Sequence, residues 1–167
     1  MSIRSRISKY LQNRQIRACK RTIEYKDFSK AKSVGIIASS EHTKELSYLK
    51  ERLSKSTVKE VKCIEINTLT NDIEVTKDNS YSKKDFNYWY LPSNGELKRF
   101  ISSKFDLLFD LSVDNTLTEA AQKLSMAKLK IGNTENSAKE YDFIVSCNAK
   151  DKRFIDLAIH YLQEIKS

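Results

Sequence analysis

From Ser33 onward, short apolar runs alternate with longer amphipathic stretches, and this alternation limits the fold more than any other property of the chain. Residues 33–39 (SVGIIAS) form a nearly continuous apolar run, the pattern of a strand covered on both faces. Residues 41–54 follow as a helix with Leu46, Leu49 and Leu53 on one side and Ser39 or Ser40 as its cap. A second strand centres on Cys63, Ile64 and Ile66 within 59–69, and 70–92 is polar and irregular, then aromatic. Residues 94–103 read as a helix turning Leu97, Phe100 and Ile101 inward, and 105–112 (FDLLFDLS) as the clearest strand. Residues 116–126 read as a helix with Leu117, Ala120, Ala121 and Leu124 together, capped by Asp114 or Asn115. Two more strands, 129–132 and 141–147, precede a closing amphipathic helix over 151–166 built on Phe154, Leu157, Ala158, Tyr161, Leu162 and Ile165.

Regular β–α alternation predicts a mostly parallel sheet with helices on both faces. Five strands fit a three-layer Rossmann-like (flavodoxin-like) α/β domain. The link from Gly132 to Tyr141 is too short for an ordinary helical crossover, so the last strand is expected to be antiparallel or joined by an unusual loop.

Charge divides the chain differently. The chain has 30 basic and 22 acidic residues, a net charge of +8. Residues 1–32 hold Arg4, Arg6, Lys9, Arg14, Arg17, Lys20, Arg21, Lys26, Lys30 and Lys32 against only Glu24 and Asp27. That excess equals the net charge of the whole chain, so residues 33–167 are balanced. A neutral body behind a cationic leading segment is the pattern of a protein that docks on a polyanion. Residues 2–21 read as a helix in which Ile3, Ile7, Tyr10 and Leu11 form a narrow apolar stripe, with Arg14, Arg17 and Arg21 sharing a face. Three readings follow: a helix tracking phosphates, a helix lying on an anionic membrane, and a helix packed on its own domain through Ile3, Ile7 and Leu11.

Cys19, Cys63 and Cys147 are widely spaced and odd in number, which predicts a reducing cytoplasm rather than a disulfide framework. No apolar stretch approaches the roughly 20 residues of a membrane span.

The order Phe86-x-x-Trp89, Asn94-x-Glu96-Leu97 with Phe100, Phe105-Asp106-Leu107-Leu108 and Ala127-Lys128-Leu129-Lys130-Ile131-Gly132 resembles a family of small uncharacterised bacterial α/β proteins, a domain of unknown function. That family also carries a Lys/Arg-rich helix before its first strand. The resemblance implies a fold and no activity. The chain departs from the family pattern at Asp110-Leu111-Ser112 and in lacking a Gly soon after Trp89.

In open α/β sheets ligands sit at the carboxyl ends of the strands. Here those positions offer Ser39, Ser40, Glu41 and His42 after the first strand, and Asp110, Ser112, Asp114 and Asn115 after the third. A standard nucleotide site needs a Gly-rich turn so that backbone amides can approach phosphate. The only glycines are Gly35, Gly95 and Gly132, and none forms such a motif. The two histidines have no zinc spacing. The aromatic segment Tyr81, Phe86, Tyr88, Trp89, Tyr90 beside Lys83 and Lys84 reads either as a plug on the sheet's edge or as a contact surface.

The expectation is therefore a non-catalytic, cytoplasmic RNA- or ribosome-associated protein with neither cofactor nor metal. Arg6, Arg14, Arg17, Lys20, Arg21 and Lys26 would grip nucleic acid, and Tyr88 and Tyr90 would meet a protein partner. The alternative is a small Rossmann-like enzyme or ligand-binding domain using Ser40, His42, Asp110 and Asp114.

Overall fold

The computed structural model describes residues 3–18, 20–67, 79–133, 140–147 and 152–165. Among these residues the chain forms five helices and six strands: α1 (Ile3–Ala18), β1 (Ser33–Ser39), α2 (Thr43–Ser54), β2 (Glu60–Ile66), β3 (Ser80–Tyr81), α3 (Gly95–Ser102), β4 (Leu107–Leu111), α4 (Thr116–Leu124), β5 (Leu129–Asn133), β6 (Phe143–Val145) and α5 (Lys152–Gln163). The strands make one sheet in the order β3-β2-β1-β4-β5-β6, with every neighbouring pair parallel.

Two expectations are corrected. The sheet has six strands rather than five, and its order is the doubly wound 3-2-1-4-5-6 rather than the flavodoxin-like one. The extra strand, β3, is only two residues long and lies in the polar stretch, too short for any alternation to show. The last strand, β6, is parallel to β5 and not antiparallel.

The period-two pattern of the strands builds two separate cores. Val34, Ile36 and Ala38 of β1, with Leu107, Phe109 and Leu111 of β4 and Leu129 and Ile131 of β5, face α2 and α5. Ile37 of β1, Leu108 of β4, and Ile64 and Ile66 of β2 face α3 and α4 on the other side. This two-sided burial explains the continuous apolar runs of the central strands.

Helix starts follow local chemistry. The Asn94 side chain accepts from the Glu96 and Leu97 amides at 2.9 and 3.3 Å, and the Asn115 side chain accepts from the Leu117 amide at 2.9 Å. Neither Ser39 nor Ser40 caps α2. His42 holds that position with no side-chain cap bond, after a short 3₁₀ turn at Ser40–His42.

Gly132 in β5 lies against the Tyr141 ring, and a Cβ at this position would overlap the ring carbons. The ring has little room to retreat, because the Tyr141 hydroxyl donates to Asp110 Oδ2 at 2.9 Å. Gly132→Ala should therefore lower stability by about 1–3 kcal/mol, as overpacked cores do. Gly95→Ala, where nothing lies within 4 Å, should change it by less than about 0.5 kcal/mol. Urea midpoints for both variants check this, and equal midpoints would contradict the packing described.

Candidate nucleic-acid interface

α1 rests on α4 and on the aromatic segment, with a polar face turned inward. Ser8 and Gln12, one turn apart, are its buried residues. The Ser8 hydroxyl donates to the Trp89 carbonyl at 2.7 Å, and Gln12 Nε2 donates to Ser8 Oγ at 3.2 Å. Arg4 Nε donates to the Tyr88 carbonyl at 2.9 Å, and its guanidinium lies 4.2 Å from the Tyr88 ring centroid and 4.4 Å from that of Tyr90. The loop that presents these carbonyls is held by Asn87, whose side chain accepts from the Trp89 and Leu91 amides at 2.9 and 3.0 Å.

Of the three readings of this helix, the one that packs it through its apolar stripe does not hold for most of the stripe: Ile3 is 77% exposed, Ile7 38% and Tyr10 67%, and only Leu11 is half-buried. A helix advances 100° per residue, so the burial of Ser8 and Gln12 turns Ile3, Arg6, Tyr10, Arg14 and Arg17 to the opposite side. Arg6, Lys9, Arg14, Arg17 and Lys20 are all exposed. None of them pairs with an acid among the described residues.

The other two predicted cations are engaged by the chain itself. Arg21 donates to both carboxylate oxygens of Asp142 and to the carbonyls of Ala127 (2.5 Å) and Lys128 (3.2 Å). Lys26 reaches Asp106 Oδ1 at 3.0 Å, beside Lys128 at 3.2 Å. Asp106 is buried just ahead of β4, and its second oxygen accepts from the Lys32 and Ser33 amides at 2.9 and 3.3 Å. Burial alone would raise the Asp106 pKa. The Lys32 amide and the Lys26 and Lys128 ammonium groups outweigh it and hold the carboxyl at about 2.

Of the predicted protein contacts, Tyr88 is exposed, whereas Tyr90 is half-buried and packs against the α3–α4 core. Phe86 is buried in that core, as the plug reading expects for it. Sequence reasoning missed Arg4, whose stacking between two tyrosines sets the helix's orientation. Nothing local in the sequence pointed to it, because Tyr88 and Tyr90 are remote from Arg4 along the chain.

The carboxyl-end residues form a closed polar cluster. Ser39, His42, Asp110 and Ser112 are each at most 2% exposed. Ser39 Oγ lies 3.0 Å from His42 Nδ1 and accepts from the Val113 amide at 3.3 Å, which ties the end of β1 to the end of β4. Asp110 Oδ1 accepts from the Ser112 amide at 2.9 Å, and Oδ2 from Tyr141. Ser40 and Asp114 are exposed and outside this cluster. Ser39 therefore cannot cap α2, because its hydroxyl is held by His42 and Val113. His160 is exposed rather than at the core boundary, and Cys63 and Cys147 are half-buried. Cys19 lies outside the described residues.

A second titratable group is buried nearby. Lys130 of β5 is 3% exposed and donates to the Lys123 carbonyl at 2.9 Å. Burial, reinforced by Arg21, draws its pKa down to about 7 against the pull of Asp142, Glu140 and Asp110.

Residues 1–165 match the model of a family described as a family of unknown function, DUF6913. The chain belongs to that family, whose match takes in α1 as well as the sheet. No curated protein and no solved structure matches the chain. Among the described residues no helix is long and apolar enough to cross a membrane.

Two pH effects follow. Asp106 has a native pKa near 2 against 3.8 when unfolded, so its contribution is complete above pH 4 and fades as pH falls toward 2. Asp106→Asn should cost about 2 kcal/mol at pH 7 and show a smaller loss between pH 5 and 2 than the parent. Urea titrations at several pH values measure both. Lys130 acts in a different pH window, and there too stability rises with pH. Between pH 7 and 10.5 the unfolded chain holds a proton that the native chain has released, so stability rises with pH. Lys130→Met should flatten that rise in melting temperature, and an unchanged slope would refute the assignment.

Proposed function

We propose that this protein is a non-catalytic RNA-docking protein, associated with the ribosome or its RNA in the cytoplasm, that grips phosphates with the outward face of α1. One observation carries the reading. Arg6, Arg14 and Arg17 on α1, and Lys20 just beyond its end, stand exposed and unneutralised, while Arg4, Arg21 and Lys26 fasten the helix and the segment after it to the body. A helix already seated loses little conformational freedom on binding, so the attraction of its cations is not offset by ordering. Tyr10, exposed among these arginines, offers a ring on which an unpaired base can stack.

The same face fits a lipid surface less well. Interfacial helices segregate a broad apolar side from a charged one. Here Ile3, Ile7 and Tyr10 are interleaved with Arg6, Arg14 and Arg17 on one side, while the opposite side is occupied by the protein. An enzyme at the carboxyl ends of the strands finds no support in the closed Ser39–His42 and Asp110–Ser112 pairs.

The test is anisotropy of labelled single-stranded RNA and purified ribosomal RNA against salt. Four phosphate contacts predict that log K falls with log salt at a slope of about −3 on single strands. Reversing Arg6, Arg14, Arg17 and Lys20 to Glu should abolish binding and leave the melting temperature nearly unchanged, since none of them has a partner to lose. Binding that ignores salt or survives the reversal would defeat the proposal. So would binding to anionic phosphatidylglycerol vesicles with none to RNA.

A further inference from the structure

We infer that an apolar slot beneath the last two turns of α1 binds the chain of a free medium-chain fatty acid, with the carboxylate at Lys98. The slot arises from how the helix is fastened. It bonds to the body at Arg4 and Ser8 in its first half, and Arg21 anchors the chain beyond its end. Between them Gln15 and Ala18 stand off the body, and neither side chain is large enough to fill the gap. A cavity of about 430 Å³ remains between α1, α3 and the end of α4, walled by Ala18, Pro92, Ile101, Leu124 and Met126. A second cavity of about 250 Å³ opens on the other flank of the same two residues, walled by Leu11, Ala18 and Leu91 with Arg14 at its edge. Both are within or near the range of small-molecule sites, and the larger has the usual composition, apolar walls with few polar groups.

The polar groups at the mouth select the occupant. Lys98 and Ser102 lie one turn apart on α3, and the Lys98 ammonium has no partner among the described residues. Arg99 is occupied by Glu96 at 2.6 Å, which leaves Lys98 as the open cation. Apolar walls with one unneutralised ammonium at the rim are complementary to an aliphatic tail with one negative head. The slot lies on the inward side of α1, so its occupation leaves Arg6, Arg14 and Arg17 facing outward.

The inference is tested by calorimetric titration of the full chain with octanoate, decanoate and dodecanoate below their micellar concentrations. Saturable one-to-one binding is expected, tightening about tenfold for each added pair of methylenes, as burial of apolar surface requires. Dodecanol should bind at least several-fold more weakly than dodecanoate. Ser102→Trp, at an exposed position on the slot wall, should eliminate binding while RNA binding persists, which separates this site from the phosphate-gripping face. Lys98→Glu should weaken dodecanoate severalfold and leave dodecanol unaffected. The inference fails if no saturable binding occurs, if dodecanol binds as tightly as dodecanoate, or if Ser102→Trp binds like the parent. Attachment to phospholipid vesicles without binding of free dodecanoate also overturns it.

Discussion

Asp106 ties the leading segment to the sheet. It stands at the entrance to β4, takes the amides of Lys32 and Ser33 on one oxygen, and takes the ammonium groups of Lys26 and Lys128 on the other. Hydrogen bonds to an ionised group are worth roughly 1.5–3 kcal/mol each when buried, about twice their neutral counterparts. Without that carboxylate, β1 would start with unanswered amides and two lysines would crowd one another. Arg21 repeats the arrangement at the entrances to β5 and β6, through the Ala127 and Lys128 carbonyls and Asp142. The segment after α1 is thus stitched across the amino ends of three strands, and this stitching fixes where α1 can lie.

A charge count treats the leading cations as one population, but the fold divides them by position. Those after the helix face backbone carbonyls and buried acids at the strand entrances, where a positive charge has somewhere to go. Those within the helix face water, because the inward side is held by Ser8, Gln12 and the stacked Arg4. Polar seating of this kind is unusual for a surface helix, whose apolar residues ordinarily point to the core. It explains why Ile3 and Tyr10 remain in solvent beside the arginines.

Much of the body was legible because its strands and helices are long enough to show a period. β1 agrees with the apolar run residue for residue, and the Leu46–Leu49–Leu53 face of α2 is buried as its spacing requires. What escaped had a physical reason in each case. β3 is two residues long and carries no pattern. Loop length left the direction of β6 open between an antiparallel strand and an unusual connection, and the strand runs parallel to β5. The orientation of α1 was left open among three readings, and nothing local revealed that Trp89, 81 positions away, would offer Ser8 a carbonyl. The split between anchoring and open cations was equally hidden, since Asp106 and Asp142 are remote in sequence from Lys26 and Arg21.

The doubly wound order directs attention to the crevice between β1 and β4, where such sheets usually take their ligands. Here the crevice is closed by the protein's own side chains. Ser39 bridges His42 and the Val113 amide, and Asp110 receives Ser112 and Tyr141. A buried polar network that answers its own members stiffens the structure around it. In place of a crevice, α4 and the aromatic segment provide the base for a helix that would otherwise be marginal alone at this length, and the amino ends of the sheet hold the segment that follows it. The working surfaces then lie at the helix: its outward cations, and the apolar gap left beneath it where the polar fastening stops. Both follow from the same circumstance, a helix seated on the buried polar side chains Ser8 and Gln12 and anchored by the segment beyond its end rather than by its apolar stripe.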